Sequence, residues 1–138
     1  MIRKVFNEVV QKVPHLVAEG LLSPQNPAFE TKRNEFLNNA IYLQQTIDAV
    51  NYLKSLGKST RFSQWQRAHC VPQRIQSLVE WHAGREVSPG AIIVAALYLG
   101  FTMGVLDGKV YFNFLSRQIE MELFQHRRRQ LIKQVVGA

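Results

Sequence analysis

The fold of this chain is decided by residues 60–114, which read TRFSQWQRAHCVPQRIQSLVEWHAGREVSPGAIIVAALYLGFTMGVLDGKVYFNF. Residues 61–69 predict a short helix, and Pro72 suits the first turn of a second helix, which Gly84 ends. Residues 90–99 predict a third helix that is apolar on nearly every face and is therefore expected to be buried. The segment thus begins with three short helices, of which the third is scaffold.

A hairpin is predicted to close this segment. Asp107-Gly108 is a preferred pair for a two-residue type I′ turn, because both positions of that turn need a positive φ. The register puts six apolar residues on one face, paired as Phe101 with Phe114, Met103 with Phe112, and Val105 with Val110. The opposite face is expected to be in water and carries Thr102, Gly104, Lys109, Tyr111 and Asn113.

The region before this segment predicts a helical platform over residues 1–57. Residues 2–17 have the apolar spacing of an amphipathic helix, which Pro14 is expected to kink or end. After Asn26-Pro27, heptad-like apolar spacing predicts one long helix to about Leu56, stopped by Gly57. This helix suits either the core of one subunit or the interface of a homodimer.

The region after the hairpin, residues 115–138, predicts a basic C-terminal helix from Ser116 onward. Its apolar set is Ile119, Leu123, Phe124, Leu131, Ile132 and Val135. Acidic residues near its start and cations near its end suit the helix dipole. Three consecutive arginines, at 127–129, exceed what the dipole requires and predict contact with phosphate groups.

Composition bounds the fold class and the kind of partner. With 138 residues and 46% apolar content, the chain is expected to form a single domain, mainly α, with one β-hairpin. The net charge is +7, and residues 58–138 hold +6 of it, because they carry eleven Lys or Arg against five Asp or Glu. This balance favours polyanionic partners.

Several function classes are disfavoured. The longest apolar run, residues 91–101, is shorter than the ~20 residues of a membrane span, and no signal peptide is predicted. Cys70 is the single cysteine, and with His69 and His82 it matches no usual zinc spacing. Because no catalytic motif is present either, we expect a cytoplasmic, non-enzymatic protein with no cofactor, metal or membrane contact.

The order of elements in residues 58–114 predicts a winged helix-turn-helix, with residues 72–82 as the recognition helix. Its exposed side chains suited to base edges are Gln73, Arg74, Gln76 and Ser77. Phosphate contacts are predicted for Arg61, Arg67, Lys109, Arg127, Arg128, Arg129 and Lys133. Tyr111 is the preferred aromatic for base stacking, since Trp65 and Trp81 fit core contacts better. Helical packing without nucleic acid remains open.

A resemblance adds a biological setting. The run WHAGREVSPGAI at residues 81–92, followed by Ala95-Ala96 and Gly100-Phe101, resembles the centre of small, poorly characterised proteins of bacterial plasmids, phages and integrated elements. The similarity falls within residues 81–114. It implies a mobile-element setting and brings no activity or catalytic residue with it.

Together these patterns predict a non-enzymatic nucleic-acid-binding protein, a small DNA-binding regulator or accessory factor. Duplex DNA is the favoured ligand and RNA is possible. Two alternatives belong to other classes: a protein-interaction subunit of a larger nucleoprotein assembly, for example an RNA-guided one, and a phage-derived inhibitor that binds a host protein.

Overall fold

The computed structural model describes residues 1–60 and 63–135, and it is mainly helical with two small antiparallel hairpins. The helices of this part are α1 Arg3–Gln11, α2 Phe29–Asn38, α3 Ala40–Leu53, α4 Gln64–His69, α5 Pro72–Ala83, α6 Pro89–Tyr98 and α7 Ser116–Val135. The strands are β1 Leu16–Val17, β2 Gly20–Leu21, β3 Met103–Leu106 and β4 Lys109–Phe112.

The N-terminal region contains a hairpin that was not predicted. The first helix ends at Gln11, before Pro14 as expected, but residues 16 and 17 form a strand that pairs Leu16 with Leu21. The prediction of a single β-hairpin is therefore wrong. Strands of two residues are too short to show the alternation by which a sequence reveals a strand.

A single arginine holds the end of α1 and the start of this hairpin together. The Arg33 guanidinium donates to the carbonyl oxygens of Val10, Val13 and Leu16, at 3.2, 3.0 and 2.8 Å. The carbonyls of Val10 and Val13 also accept from the N–H groups of Val13 and Leu16, at 3.0 and 3.1 Å, so the guanidinium adds a second donor to each of them. Burial lowers the pKa of Arg33, but a guanidinium stays charged and keeps all its donors.

The predicted long helix from Pro27 to Leu56 is wrong, because the chain breaks it at Asn39. That residue has an extended backbone with ψ of 121°, and its side chain accepts a hydrogen bond from the Ile41 N–H as the N-cap of α3. The break lets Phe36 of α2 pack against Phe6, with ring centroids 5.5 Å apart. The Asn39 side chain thus bonds a backbone N–H at the start of α3 that would have bonded a backbone carbonyl in a continuous helix.

Helix α6 is the centre of the core, as its apolar composition predicts. Residues 90–96 are all buried, and α1, α3 and α5 pack around them. Ser88 caps the helix by accepting a hydrogen bond from the Ala91 N–H. The Gly90 N–H donates to the carbonyl of Ala18, at 2.7 Å, so α6 begins in direct backbone contact with the first hairpin.

The second hairpin has the predicted register, with Met103 opposite Phe112 and Val105 opposite Val110. Asp107 and Gly108 both have positive φ, 51° and 76°, as a type I′ turn requires. The prediction for Asn113 is wrong, because its side chain is buried. It accepts from the Thr102 N–H and donates to the Ser59 carbonyl, which ties the hairpin to the end of the N-terminal region.

Helix α7 does not bury its predicted apolar set. Ile119 is buried and Leu123 is partly buried, but the other four predicted residues are exposed. Those four are Phe124, Leu131, Ile132 and Val135. The hydroxyl of Tyr52 on α3 donates to the Glu122 carboxylate, and this contact fixes the first half of the helix to the body.

An ion pair joins α3 to the loop after α5. Arg85 donates to both carboxylate oxygens of Asp48, at 2.6 and 2.8 Å, and Asp48 is buried. The Arg85 guanidinium holds the pKa of Asp48 below its usual range. A carboxylate with a lowered pKa stabilises the fold above its unfolded pKa, and this contribution is lost as the pH falls through the folded value.

We therefore expect Arg85→Gln to lower the melting temperature at neutral pH and to have a shrinking effect as the pH falls below about 4. Thermal unfolding followed by circular dichroism between acid and neutral pH measures this. The control is Lys32→Gln, which removes the partner of the exposed Glu19 and should shift the melting temperature less. A pH-independent difference for Arg85→Gln would contradict the assignment.

Candidate nucleic-acid interface

Helices α4 and α5 are joined by a tight two-residue connection. Ser63 begins α4 with a capping box: its hydroxyl accepts from the Gln66 N–H at 3.1 Å, and the Gln66 side chain accepts from the Ser63 N–H at 2.7 Å. Val71 is extended, and Pro72 then occupies the first turn of α5, where its missing N–H costs nothing. Gly84, in the left-handed conformation, ends α5 as predicted.

The second hairpin is bonded directly to this helix pair. The Phe112 N–H of β4 donates to the carbonyl of Cys70, at 3.0 Å, in the connection between the two helices. The side chain of Gln66, 2% exposed, donates to the carbonyl of Phe114 at 3.2 Å. Gln66 thus fixes α4 relative to the hairpin. Sequence reasoning missed Gln66: the Ser-x-x-Gln spacing could have indicated its capping role, whereas its bond to Phe114 joins residues 48 positions apart.

The buried thiol of Cys70 lies in the same connection. Cys70 is fully buried, its sulfur lies 3.8 Å from the Phe114 carbonyl oxygen, and burial raises the pKa of the thiol to about 11. A thiol with such a pKa is protonated at neutral pH and is a poor nucleophile. Cys70 is therefore a buried structural thiol.

One face of α5 is exposed and polar. Ile75, Leu78 and Val79 pack into the core, whereas Gln73, Arg74 and Ser77 are exposed. The side chains of these three polar residues make no hydrogen bond or ion pair with any residue in the ranges 1–60 and 63–135. Their helical spacing places them side by side.

The start of α5 lies beside both hairpins. A Cβ at Gly20 of β2 would lie 3.5 Å from the amide nitrogen of Gln73, and β4 is bonded to Cys70 just before α5. Lys109, at the tip of the second hairpin, is exposed, and so is Arg67 on α4. Arg61, the remaining cation predicted in this part, lies outside the described residues.

Two predicted contact residues make contacts within the protein. Gln76 is half-buried and its side chain donates to the Val87 carbonyl at 2.9 Å, so it holds the loop between α5 and α6. Tyr111 lies on the predicted outer face of the hairpin, but its ring covers Gly104, where a Cβ would overlap it. The glycine opposite an aromatic leaves room for the ring to lie flat on the strand, which makes Tyr111 a packing residue.

The three consecutive arginines do not form one cationic patch. Successive residues of a helix point about 100° apart, so Arg127, Arg128 and Arg129 leave α7 in different directions. The Arg129 guanidinium lies over the ring of Trp81, 3.9 Å from its centroid. Arg127, Arg128 and Lys133 are exposed.

Trp81 is the exposed aromatic residue that sequence reasoning assigned to the core. Its side chain is 58% exposed, at the far end of the polar face of α5. A cavity of about 460 Å³ opens beside it, lined by Trp81, His126, Arg129, Gln130, Lys133 and Gln134. These lining residues include two permanent cations and no carboxylate. His126 is 8% exposed, and its Nδ1 has no hydrogen-bond partner among the described residues.

Two other properties bear on the kind of site. The described part of the chain contains no group of three His, Cys, Asp or Glu side chains that could hold a metal ion. Across the same residues, we find no helix with the length and apolar character that crossing a membrane requires.

Comparisons with protein-family models, curated proteins and solved structures find no match to this chain.

Proposed function

We propose that this protein binds nucleic acid without catalysing a reaction, and that its ligand is duplex DNA. The observation that carries the proposal is the exposed face formed by Gln73, Arg74 and Ser77 at the start of α5. Amide and guanidinium groups form paired hydrogen bonds with base edges in the major groove. These groups are exposed together on one helix face, so they are available to a ligand.

The proposed arrangement is a winged helix-turn-helix in which α4 and α5 form the helix pair and the second hairpin is the wing. The hydrogen bond from Phe112 to Cys70 supports it, because it fixes the hairpin next to the recognition helix. Arg67 and Lys109 are exposed cations on elements that adjoin the start of α5, so they suit phosphate contact. A small regulator or accessory factor of a bacterial mobile element, acting in the cytoplasm, is the setting we propose.

Binding selection from a randomised duplex pool, followed by titration at several salt concentrations, tests this proposal. We expect the affinity to fall steeply as salt rises. Arg74→Ala should reduce the preference for the selected sequence over a scrambled one by roughly tenfold, because it removes a base contact. Lys109→Ala should weaken both duplexes alike and reduce the salt slope by about 1.

The matched control is Lys12→Ala, which removes the same charge from an exposed position after α1, a helix outside the proposed interface. It should leave the preference unchanged and alter affinity less than Lys109→Ala. Absence of duplex binding at low salt would refute the proposal. Equal effects of Lys12→Ala and Lys109→Ala would show that net charge alone causes binding.

A second candidate function is supported by the cationic cavity beside Trp81. In a subunit of a larger nucleoprotein assembly, this indole could stack an unpaired base of RNA or displaced DNA, with Arg129 and Lys133 near its phosphate. The same titrations performed with single strands separate the two functions. If Trp81→Ala weakens single-strand binding and Arg74→Ala leaves duplex binding unchanged, the second function is favoured.

A further inference from the structure

From Met121 onward, α7 has its polar and apolar faces reversed relative to an ordinary surface helix. The face that lines the cavity next to α5 carries His126, Arg129, Gln130 and Lys133. The large apolar residues that face solvent are Met121, Phe124, Leu131, Ile132 and Val135, and each is more than half exposed. A surface helix of a monomer normally turns its apolar stripe to its own core.

The exposed apolar residues form a stripe along the helix that Arg128 interrupts once. The positions 121, 124, 128, 131 and 135 follow the alternating three- and four-residue spacing of a coiled-coil seam, and Ile132 borders them. Arg128 occupies the middle position. The stripe covers 14 helical steps, about 21 Å at 1.5 Å per residue. Exposed apolar surface of this extent marks an interaction site.

We propose that this stripe binds the same stripe of a second copy of the chain, with the two α7 helices antiparallel. Glu122 binds Tyr52 and Arg129 lies over Trp81, so neither is counted for the interface. The remaining charges are Arg117 and Glu120 in residues 116–125, which cancel, and Arg127, Arg128 and Lys133 in residues 126–135, a net charge of +3. A parallel pair would place the two +3 halves side by side. An antiparallel pair places each of them beside a neutral half, and it has the two-fold symmetry that most homodimers have.

The position of Arg128 within the stripe fixes the register. An antiparallel pair centred near residue 126 places Met121 opposite Leu131 and Phe124 opposite Arg128 of the second copy. In that position the arginine stem packs on the apolar surface, and its guanidinium lies over the Phe124 ring. A helix lying on a lipid surface keeps its cations at the border of the apolar stripe, so a cation in the middle favours a protein partner.

This dimer does not depend on the proposed function, although it would suit it. Two copies related by a two-fold axis present two α5 helices, as dimeric helix-turn-helix proteins do on paired half-sites. A chain that dimerises without binding DNA would retain this inference and refute the proposed function. A monomer that binds DNA would refute this inference and support the proposed function.

Sedimentation velocity and light scattering of the whole protein, without nucleic acid, test the interface. We expect twice the 15.9 kDa chain mass at protein concentrations of about 100 µM, since a small interface gives a dissociation constant on the order of micromolar. Leu131→Glu should give the single-chain mass. Ile41→Glu, at another exposed apolar position, on α3, should remain dimeric and shows that a surface charge alone does not prevent association.

The register is tested by two opposite charges at one position. Phe124→Glu should remain dimeric because the new carboxylate meets Arg128 of the second copy, whereas Phe124→Arg should be monomeric because like charges meet. A wild-type monomer at these concentrations overturns the proposal, and equal behaviour of the two Phe124 variants overturns the register. Binding of a wild-type monomer to anionic lipid vesicles, strengthened by Phe124→Arg and weakened by Phe124→Glu, would assign the stripe to a lipid surface instead.

Discussion

Replacement of Gly90 by alanine is expected to destabilise this protein by about 3 kcal/mol or more. A Cβ at this position would overlap the carbonyl oxygen of Val17 and lie 3.0 Å from the Cα and carbonyl oxygen of Ala18. Because these neighbours are backbone atoms of a hairpin, they cannot move aside as a side chain could. The hydrogen bond from the Gly90 N–H to Ala18 would be lost as well.

Urea unfolding followed by circular dichroism measures this loss. Alanine is the better helix former by up to about 1 kcal/mol, so a net loss must come from the contact with the hairpin. The control is Gly84→Ala, where φ is 73° and, apart from the glycine and its chain neighbours, no atom of residues 1–60 or 63–135 lies within 4 Å of the new Cβ. Left-handed strain alone should cost about 1–2 kcal/mol there. A smaller loss at Gly90 than at Gly84 would contradict the packing of α6 against the first hairpin.

Replacement of Gln66 by leucine is expected to cost about 2–4 kcal/mol and to loosen α4 from the second hairpin. The substitution leaves the Phe114 carbonyl and the Ser63 N–H without the partners that the amide supplies. Each buried polar group that loses its hydrogen bond costs about 1–3 kcal/mol. Leucine has nearly the same volume, so the loss reports on the hydrogen bonds and not on a cavity.

Gln64→Leu is the matched control, since it makes the same change two residues earlier on an exposed position of α4. We expect it to change the free energy of unfolding by less than about 0.5 kcal/mol. Under the proposed function, Gln66→Leu should also weaken all duplexes alike, because it shifts α4 and the hairpin without removing a base contact. Equal stability of the two variants would show that the Gln66 amide does not anchor the hairpin.

The sequence predicts the central elements well because their signals are local. Pro72 and Gly84 bound α5, and Asp107-Gly108 sets the register of the second hairpin through the φ values that a type I′ turn needs. Burial of α6 follows from its composition, since a helix that is apolar on every side is buried in the core. In each case the decisive information lies within a few residues.

The failures occur where the outcome depends on a distant contact. The residues around Asn39 fit a continuous helix. The helix breaks there because Phe36 of α2 packs on Phe6, a residue 30 positions earlier in the chain. The strand at residues 16 and 17 is held by its partner strand and by Arg33. Gln76 looks like an exposed polar residue of α5, but the loop before α6 brings the Val87 carbonyl to its side chain.

The candidate site shows the same division. The prediction that α5 exposes Gln73, Arg74 and Ser77 is confirmed. Helical periodicity places them on the side opposite the buried residues Ile75, Leu78 and Val79. The arginine run at 127–129 looks like one basic patch in the sequence. In three dimensions Arg129 covers Trp81, and Arg128 lies in the outward apolar stripe of α7. Trp81, assigned to the core, is exposed beside a cationic cavity.

By itself the sequence determined the order of the helices from Pro72 onward, the type I′ hairpin, the buried α6 and the polar face of α5. These depend on backbone preferences and on hydrophobic periodicity, which act over a few residues. Only the tertiary structure decided which amides anchor the fold and which remain exposed, and that α7 turns its apolar stripe outward. The direction of a helix face depends on the surface it meets, and that surface is built from residues far away in the chain.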